Sequence, residues 1–216
     1  GLEAGMYAVT VTDTASCEAV AETEITVAAV PEPICIVTVD TATGKNQVVW
    51  ERTTSQATEQ FYLYKQSYTG LFDFLAAVPA GEPSTILDGT SEPERQAERY
   101  KISVADTCGN ESALSDHHKT LHLNVSKSSQ GDGFALTWSH YEGFDFNTYV
   151  IYRGTSPYNL QPIDSIAYNI SSFTYTDITA DENSRYYYRV AAIKPGAPCL
   201  ATKANNGPFS RSISNL

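Results

Sequence analysis

Methionine is almost missing from this sequence, at one residue, and tryptophan is held to two, while tyrosine reaches 14 and phenylalanine eight. That balance favours β-structure, where aromatic and β-branched side chains pack on a pleated surface. Basic residues are scarce as well. Fourteen Lys and Arg stand against 25 Asp and Glu, a formal net charge of −11 with a pI near 4.7. A phosphate backbone needs a basic face, so no nucleic acid is expected as a partner. No apolar run approaches the roughly 20 residues of a spanning helix, and no membrane insertion is expected. The opening Gly1-Leu2-Glu3-Ala4 has neither a basic n-region nor an apolar h-region. The chain therefore reads as part of something longer. What is present is 42% apolar content over 216 residues, enough to build real cores in one or two domains.

Motifs that carry chemistry are lacking too. There is no GxSxG, HExxH or GxGxxG pattern, and neither a CxxC pair nor a Cys/His cluster that suits zinc. Gly44-Lys45 resembles a fragment of a phosphate loop, but Asn46 replaces the required Ser/Thr, and Asp40 to Gly44 is better read as a β-turn. The densest set of potential ligands is Asp116-His117-His118-Lys119-Thr120-Leu121-His122. On a strand, His118 and His122 would share a face, with Asp116 as a third ligand. The preferred reading makes this run the end of one module and the linker to the next, where it supplies polar contacts. No catalytic residue, metal or cofactor is assigned. The cysteines Cys17, Cys35, Cys108 and Cys199 are dispersed. In an acidic β-protein they fit an exported context with one or two disulfides, or else four buried thiols.

Period-2 runs dominate, and no segment after the prolines at 31 and 33 carries a helical period. Tyr7 to Thr12 is a strand, followed by a turn and Glu24-Ile25-Thr26-Val27. Pro31-Glu32-Pro33 then reads as an extended linker. Beyond it lies a repeat of about 87 residues. Val48-Val49-Trp50 recurs as Leu136-Thr137-Trp138, and fourteen residues after each Trp stands Tyr64 or Tyr152. Tyr100 follows Trp50 by fifty residues, and Tyr186 follows Trp138 by forty-eight. A unit of this length holds about seven short strands, which suits an autonomous sandwich.

Trp at the end of a second strand, an aromatic Y-x-x-Y third strand and Tyr-x-aliphatic-x-Val opening a sixth together resemble the fibronectin type III module. The resemblance covers both copies, roughly residues 33–216. It implies an all-β fold of two antiparallel Ig-like sandwiches in tandem, as modules at 32–119 and 120–216. It further implies that Trp50 and Trp138 fill the cores. Tyr100 and Tyr186 would be tyrosine-corner residues, their hydroxyls tied to upstream backbone. Glu111 to Ser115 and Gly207-Pro208-Phe209-Ser210 resemble the loops entering the last strands. In such a module the start of the first strand and the loop between the last two strands share a pole. The resemblance thus implies a Cys35–Cys108 bridge, closing about 70 residues and contributing roughly 4 kcal/mol in the chain-entropy model. Cys17 and Cys199 are then free thiols. Residues 1–31 differ: Gly5 to Asp13 with Cys17 resembles the closing hairpin of the Ig-like repeats in large bacterial surface adhesins. A lone hairpin is marginal in water, so it must pack on the first module or have lost its parent domain.

The loop His140-Tyr141-Glu142-Gly143-Phe144-Asp145-Phe146 combines rings with acidic partners. Tyr141, Phe144 and Phe146 are therefore the candidate ligand-binding residues, for sugar stacking or a protein interface. Tyr68 to Phe72 and Ser156-Pro157-Tyr158 occupy equivalent turns after the third strands. The favoured reading of all these rings is that they plug the sandwich ends. The expectation is a non-catalytic structural or adhesive unit, secreted or at the cell surface and monomeric, whose partner is an unknown protein or glycan. A short junction around His118 to Leu121 predicts a semi-rigid rod. The alternative is a carbohydrate-binding accessory module of a secreted glycosidase or peptidase.

Overall fold

The computed structural model describes residues 5–25, 29–51, 58–129, 133–168, 173–200 and 208–216. Thr26, Val27 and Gly207 of the runs above lie outside them. Among the described residues there are strands and no helix. An N-terminal hairpin pairs β1 (Gly5–Thr12) with β2 (Glu18–Ile25). The next seven strands are β3 (Ile34–Val39), β4 (Asn46–Trp50), β5 (Thr58–Gln66), β6 (Phe72–Pro79), β7 (Thr85–Asp88), β8 (Arg99–Asp106) and β9 (His118–Lys119). They form one sheet in the order β3-β4-β7 and another in the order β6-β5-β8-β9. The last seven are β10 (Leu123–Lys127), β11 (Phe134–Trp138), β12 (Thr148–Ser156), β13 (Asn159–Ala167), β14 (Thr174–Asp177), β15 (Tyr187–Ile193) and β16 (Arg211–Ile213). Their sheets run β10-β11-β14 and β13-β12-β15-β16, the same connectivity again. All pairings are antiparallel, and the fold is an all-β Ig/fibronectin-type sandwich arrangement.

Alternation builds each core. Phe61 and Leu63 of β5 point inward with Tyr100, Ile102 and Val104 of β8, and Tyr149 and Ile151 of β12 do so with Tyr188 and Val190 of β15. Trp50 and Trp138 are buried as expected, against Phe61 and Tyr149 at ring-centroid distances of 5.3 and 5.4 Å. The corner residue of the second sandwich is Tyr188 rather than Tyr186. Tyr188 is buried like Tyr100 and stands fifty residues after Trp138, as Tyr100 does after Trp50, whereas Tyr186 precedes β15 and is half-buried. Two residues is one strand period, so both tyrosines lie on one face and the pattern alone does not separate them. The hydroxyls are also tied differently from expectation. Tyr100 donates to Asp88 Oδ2 at 2.7 Å, and Tyr188 donates to Asp177 Oδ2 at 2.9 Å. Lys65 and Arg153 pair with those same aspartates at 2.9 and 2.6 Å. A buried carboxylate is thus neutralised by a cation and a phenol in both copies. Burial would raise the Asp88 carboxyl, but hydrogen bonds from Thr90, Lys65 and Tyr100 outweigh it and hold the group below its ordinary range.

One departure from alternation positions everything that follows. All five residues of β4 are buried, as are five of six in β3. A register shift between Ile34 and Ile36 turns Cys35 and Ile36 outward together, and with Val49 they meet Cys199, Phe144 and Phe209 of the second sandwich. The outer face of the first sandwich is therefore a second packing surface.

Candidate functional site

That surface is the junction, and its covalent link is a disulfide between Cys35 and Cys199, 164 residues apart in sequence with Cα atoms 6.0 Å apart. The Cys35–Cys108 bridge is not formed. Cys108 is an exposed free thiol in a turn closed by Asp106, whose Oδ1 accepts from the amides of Cys108 and Asn110. The shared-pole geometry holds for Cys35 only until the bulge rotates its side chain toward the neighbouring sandwich. Cys17 is also free and exposed. Strand β16 runs beside β3: Ser212 Oγ donates to the Val37 carbonyl at 2.6 Å, and the Ile213 amide to Thr38 Oγ1 at 3.0 Å. The Leu200 amide donates to Glu51 Oε1 at 2.7 Å. Asn215 spans the linker, accepting from the Leu123 amide at 2.7 Å and donating to Glu94 at 3.3 Å. Contacts along the flank of the first sandwich, rather than a short linker between two ends, hold the pair. A rod joined only at its linker does not describe it.

The loop after β11 serves this junction from within. Tyr141 is fully buried and Phe146 is 6% exposed, so neither offers a platform for a ligand. Phe144 lies half-buried against both core clusters, its ring 4.4 Å from that of Tyr141. The expectation that these rings plug the sandwich holds for this loop and fails for the equivalent turns, where Tyr68 and Tyr158 are exposed at 102% and 94%. The Tyr141 hydroxyl accepts from the Val37 amide at 3.5 Å and donates to His118 Nδ1 at 3.0 Å. A lone pair that accepts this bond belongs to a neutral imidazole, and burial pulls the His118 pKa down to about 4. Gly143 adopts φ +146°, and a Cβ there would strike the His118 ring. Only glycine meets both demands.

Glu142 collects the cations. Its carboxylate accepts from Arg99 Nε and Nη2 at 2.9 and 2.8 Å, from Lys119 Nζ at 3.1 Å and from His117 Nε2 at 2.6 Å. Burial would raise its pKa, but hydrogen bonds from Arg99, His117 and Lys119 outweigh that and hold it well below the carboxylate range. The histidines of the 116–122 run thus diverge: His117 goes to Glu142, His118 to Tyr141, and His122 Nδ1 donates to the Pro93 carbonyl at 2.8 Å. They supply inter-sandwich contacts and converge on no ion. Among the described residues one group could present three ligand atoms together, Cys35, Cys199 and Glu51, and its two sulfurs are bonded to each other. Cys199, expected as a free thiol, and Glu142 and Gly143, expected within a candidate ligand loop, are structural residues of the junction. The available signal was Val48-Val49-Trp50, an apolar run with no exposed side.

No family model and no curated protein matches this chain. Solved structures similar to it include the selenomethionine-substituted chicken interferon gamma receptor alpha chain. It is 13% identical, with a TM-score of 0.32 over 76% of this chain and 89% of that one. The FN1–FN3 domains of chicken CNTN1 are 12% identical, with a TM-score of 0.33 over 85% of this chain and 69% of that one. At such values the fold rests on the strand order itself.

Proposed function

We propose that this chain is a non-catalytic structural and interaction unit of an exported bacterial surface protein, in which two sandwiches are fused into one rigid body. We take residues 32–119 and 120–216 as its two modules and 1–31 as the end of a preceding Ig-like repeat. The observation that carries the reading is the Cys35–Cys199 bond across the junction. Such bonds persist in oxidising compartments, which supports export. The likeness of the hairpin to adhesin repeats supports the surface setting. The polar groups gathered at the junction are spent on one another, with Glu142 bound by Arg99, Lys119 and His117 and Tyr141 by His118 and Val37. That use fits holding two sandwiches in register rather than turning over a substrate.

Pulling on the two ends of the oxidised chain tests it. The 164 residues spanned by the disulfide cannot extend until the bond is reduced. Adding a dithiol reductant under load is therefore expected to lengthen the contour by about 560 Å, at roughly 3.4 Å per residue. A full-length extension without reductant would sink the fused-unit reading.

A further inference from the structure

Several part-buried cations of the described residues meet an anion, and others a carbonyl or a ring. Lys65 meets Asp88 and Glu98, Arg99 and Lys119 meet Glu142, and Arg153 meets Asp177. Lys45 donates to the Ser91 carbonyl at 2.7 Å and Lys101 lies over the Phe72 ring. Arg189 has none of these partners among the described residues. It is half-buried on the outer face of β15, and its Nε is buried without a hydrogen-bond partner. The guanidinium makes no hydrogen bond or ion pair with any described residue. Asp40 and Glu94 of the first sandwich act on it only through space, and burial lowers its pKa while leaving it charged. Only Nε is buried, and the rest of the guanidinium borders a groove with no carboxylate bonded to it. A guanidinium so placed is suited to receive an anion from outside the chain.

The surroundings say what else that anion carries. Arg189 lines a groove of about 310 Å³ with Tyr152, Pro157, Tyr158, Arg211 and Thr41. That volume sits at the lower end of the roughly 300–1,000 Å³ of small-ligand sites. Tyr152 stands directly opposite Arg189 in the β12–β15 register. Arg211 donates to the Tyr152 hydroxyl at 2.7 Å and lies over its ring at 5.3 Å, which fixes its plane and leaves its other N–H groups without a carboxylate. At the rim, Tyr158 is 94% exposed beside Pro157. Thr41 comes from the first sandwich, so the groove takes its full form only when the two are docked. Two guanidinium groups match a carboxylate, and an exposed tyrosine ring beside them matches the apolar face of a sugar.

We propose that this groove binds a carboxylate-bearing sugar, a residue of the uronic or sialic acid class, with Arg189 and Arg211 holding the carboxylate and Tyr158 stacking on the ring. The inference goes beyond the fused-unit reading and fails separately from it. It predicts a site on the outer face of β12, β15 and β16, which shares no lining residue with the loop of Tyr141 and Phe144.

The test is calorimetric titration of the full oxidised chain with an oligogalacturonate, with sialyllactose and with neutral lactose. At least one acidic sugar is expected to bind, more weakly as salt rises, and lactose is not. Which of the two binds separates the uronate from the sialate source. Arg189→Gln removes an unpaired charge and Tyr158→Ala trims an exposed ring, so both variants are expected to fold. Each should weaken binding at least tenfold. Tyr68→Ala, in the equivalent turn of the first sandwich, should leave it unchanged. Equal binding of lactose, indifference to Arg189→Gln, binding of a carboxylate-bearing peptide in place of the sugars, or no binding at all would each overturn the proposal.

Discussion

Glu32 stands beside the junction, 5% exposed, with Oε2 lacking any partner. Desolvation, and secondarily the charge of Glu51, raise its pKa to about 7. A carboxyl whose folded pKa lies above its unfolded one favours the folded state in its protonated form. Its contribution is complete below about pH 4.5 and is lost as the pH rises through about 7. His118 runs the opposite way. Its pKa falls to about 4, so between about pH 6.5 and 4 the unfolded chain takes up a proton that the folded chain refuses, and acidification destabilises. The two slopes overlap and oppose each other between about pH 4.5 and 6.5. Glu32→Gln is therefore expected to stabilise the chain at pH 8 by on the order of 2 kcal/mol. It should also unmask a loss of stability on acidification from pH 6.5 toward 4. Denaturant titrations across that range check both, and a variant as flat as the parent would refute the opposing-slope account. Gly143→Ala offers a second check at this scale. Its Cβ has to displace the His118 ring while the backbone holds φ +146°, and a loss of about 2–4 kcal/mol is expected.

Of the elements, the β1–β2 hairpin is the one that builds no core. Its register places Tyr7, Val9 and Val11 opposite Thr23, Ala21 and Ala19, a largely apolar face, yet Val9 and Val11 are more than 60% exposed. Two strands bury too little to stand alone in water. A chain starting at residue 29 is expected to keep the melting temperature of the full chain within about 2 °C, and amides of 6–24 should exchange far faster than those of β5 and β8. A clear drop in melting temperature on truncation would mean that the hairpin contributes to the folded body after all. At this scale the sequence was most readable. Alternation around Trp50, Tyr64, Trp138 and Tyr152 marks strands because a half-buried strand has to alternate, and the repeated spacing marks two copies. What stayed hidden arises where alternation fails or where distant segments meet. The bulge after Ile34 moves Cys35 out of its expected neighbourhood, and no local pattern relates Cys35 to Cys199. Tyr186 and Tyr188 differ by one strand period, so alternation does not separate them, while burial and the hydrogen bond to Asp177 do. The candidate loop at Tyr141 was legible as aromatic, but whether rings face water or a second sandwich depends on docking, which its own residues do not encode.

At the scale of the molecule, the question is whether the chain unfolds as two sandwiches or as one. Most buried apolar residues of both sandwiches fall in one cluster, with Leu121, Leu123 and Tyr141 of the junction among them. The donors to Glu142 come from β8 and from the segment 117–119, so opening the junction strands a carboxylate that three side chains hold. On chain-entropy grounds, a bond closing 164 residues restricts the unfolded state by about 5 kcal/mol, without itself deciding how many cooperative units the native state has. The two contributions separate in the Cys35→Ser/Cys199→Ser variant. Removing the bond lowers the melting temperature, by roughly 10–20 °C for a chain of this size on the usual scaling. The shared core and the Glu142 cluster remain, so differential scanning calorimetry is expected to show a single transition before and after. Adding Glu142→Gln to that background leaves Arg99 and Lys119 facing a neutral amide, and the single peak should then broaden or split. Two resolved transitions in the cysteine variant alone would place the coupling in the disulfide and deny the junction any cooperativity of its own.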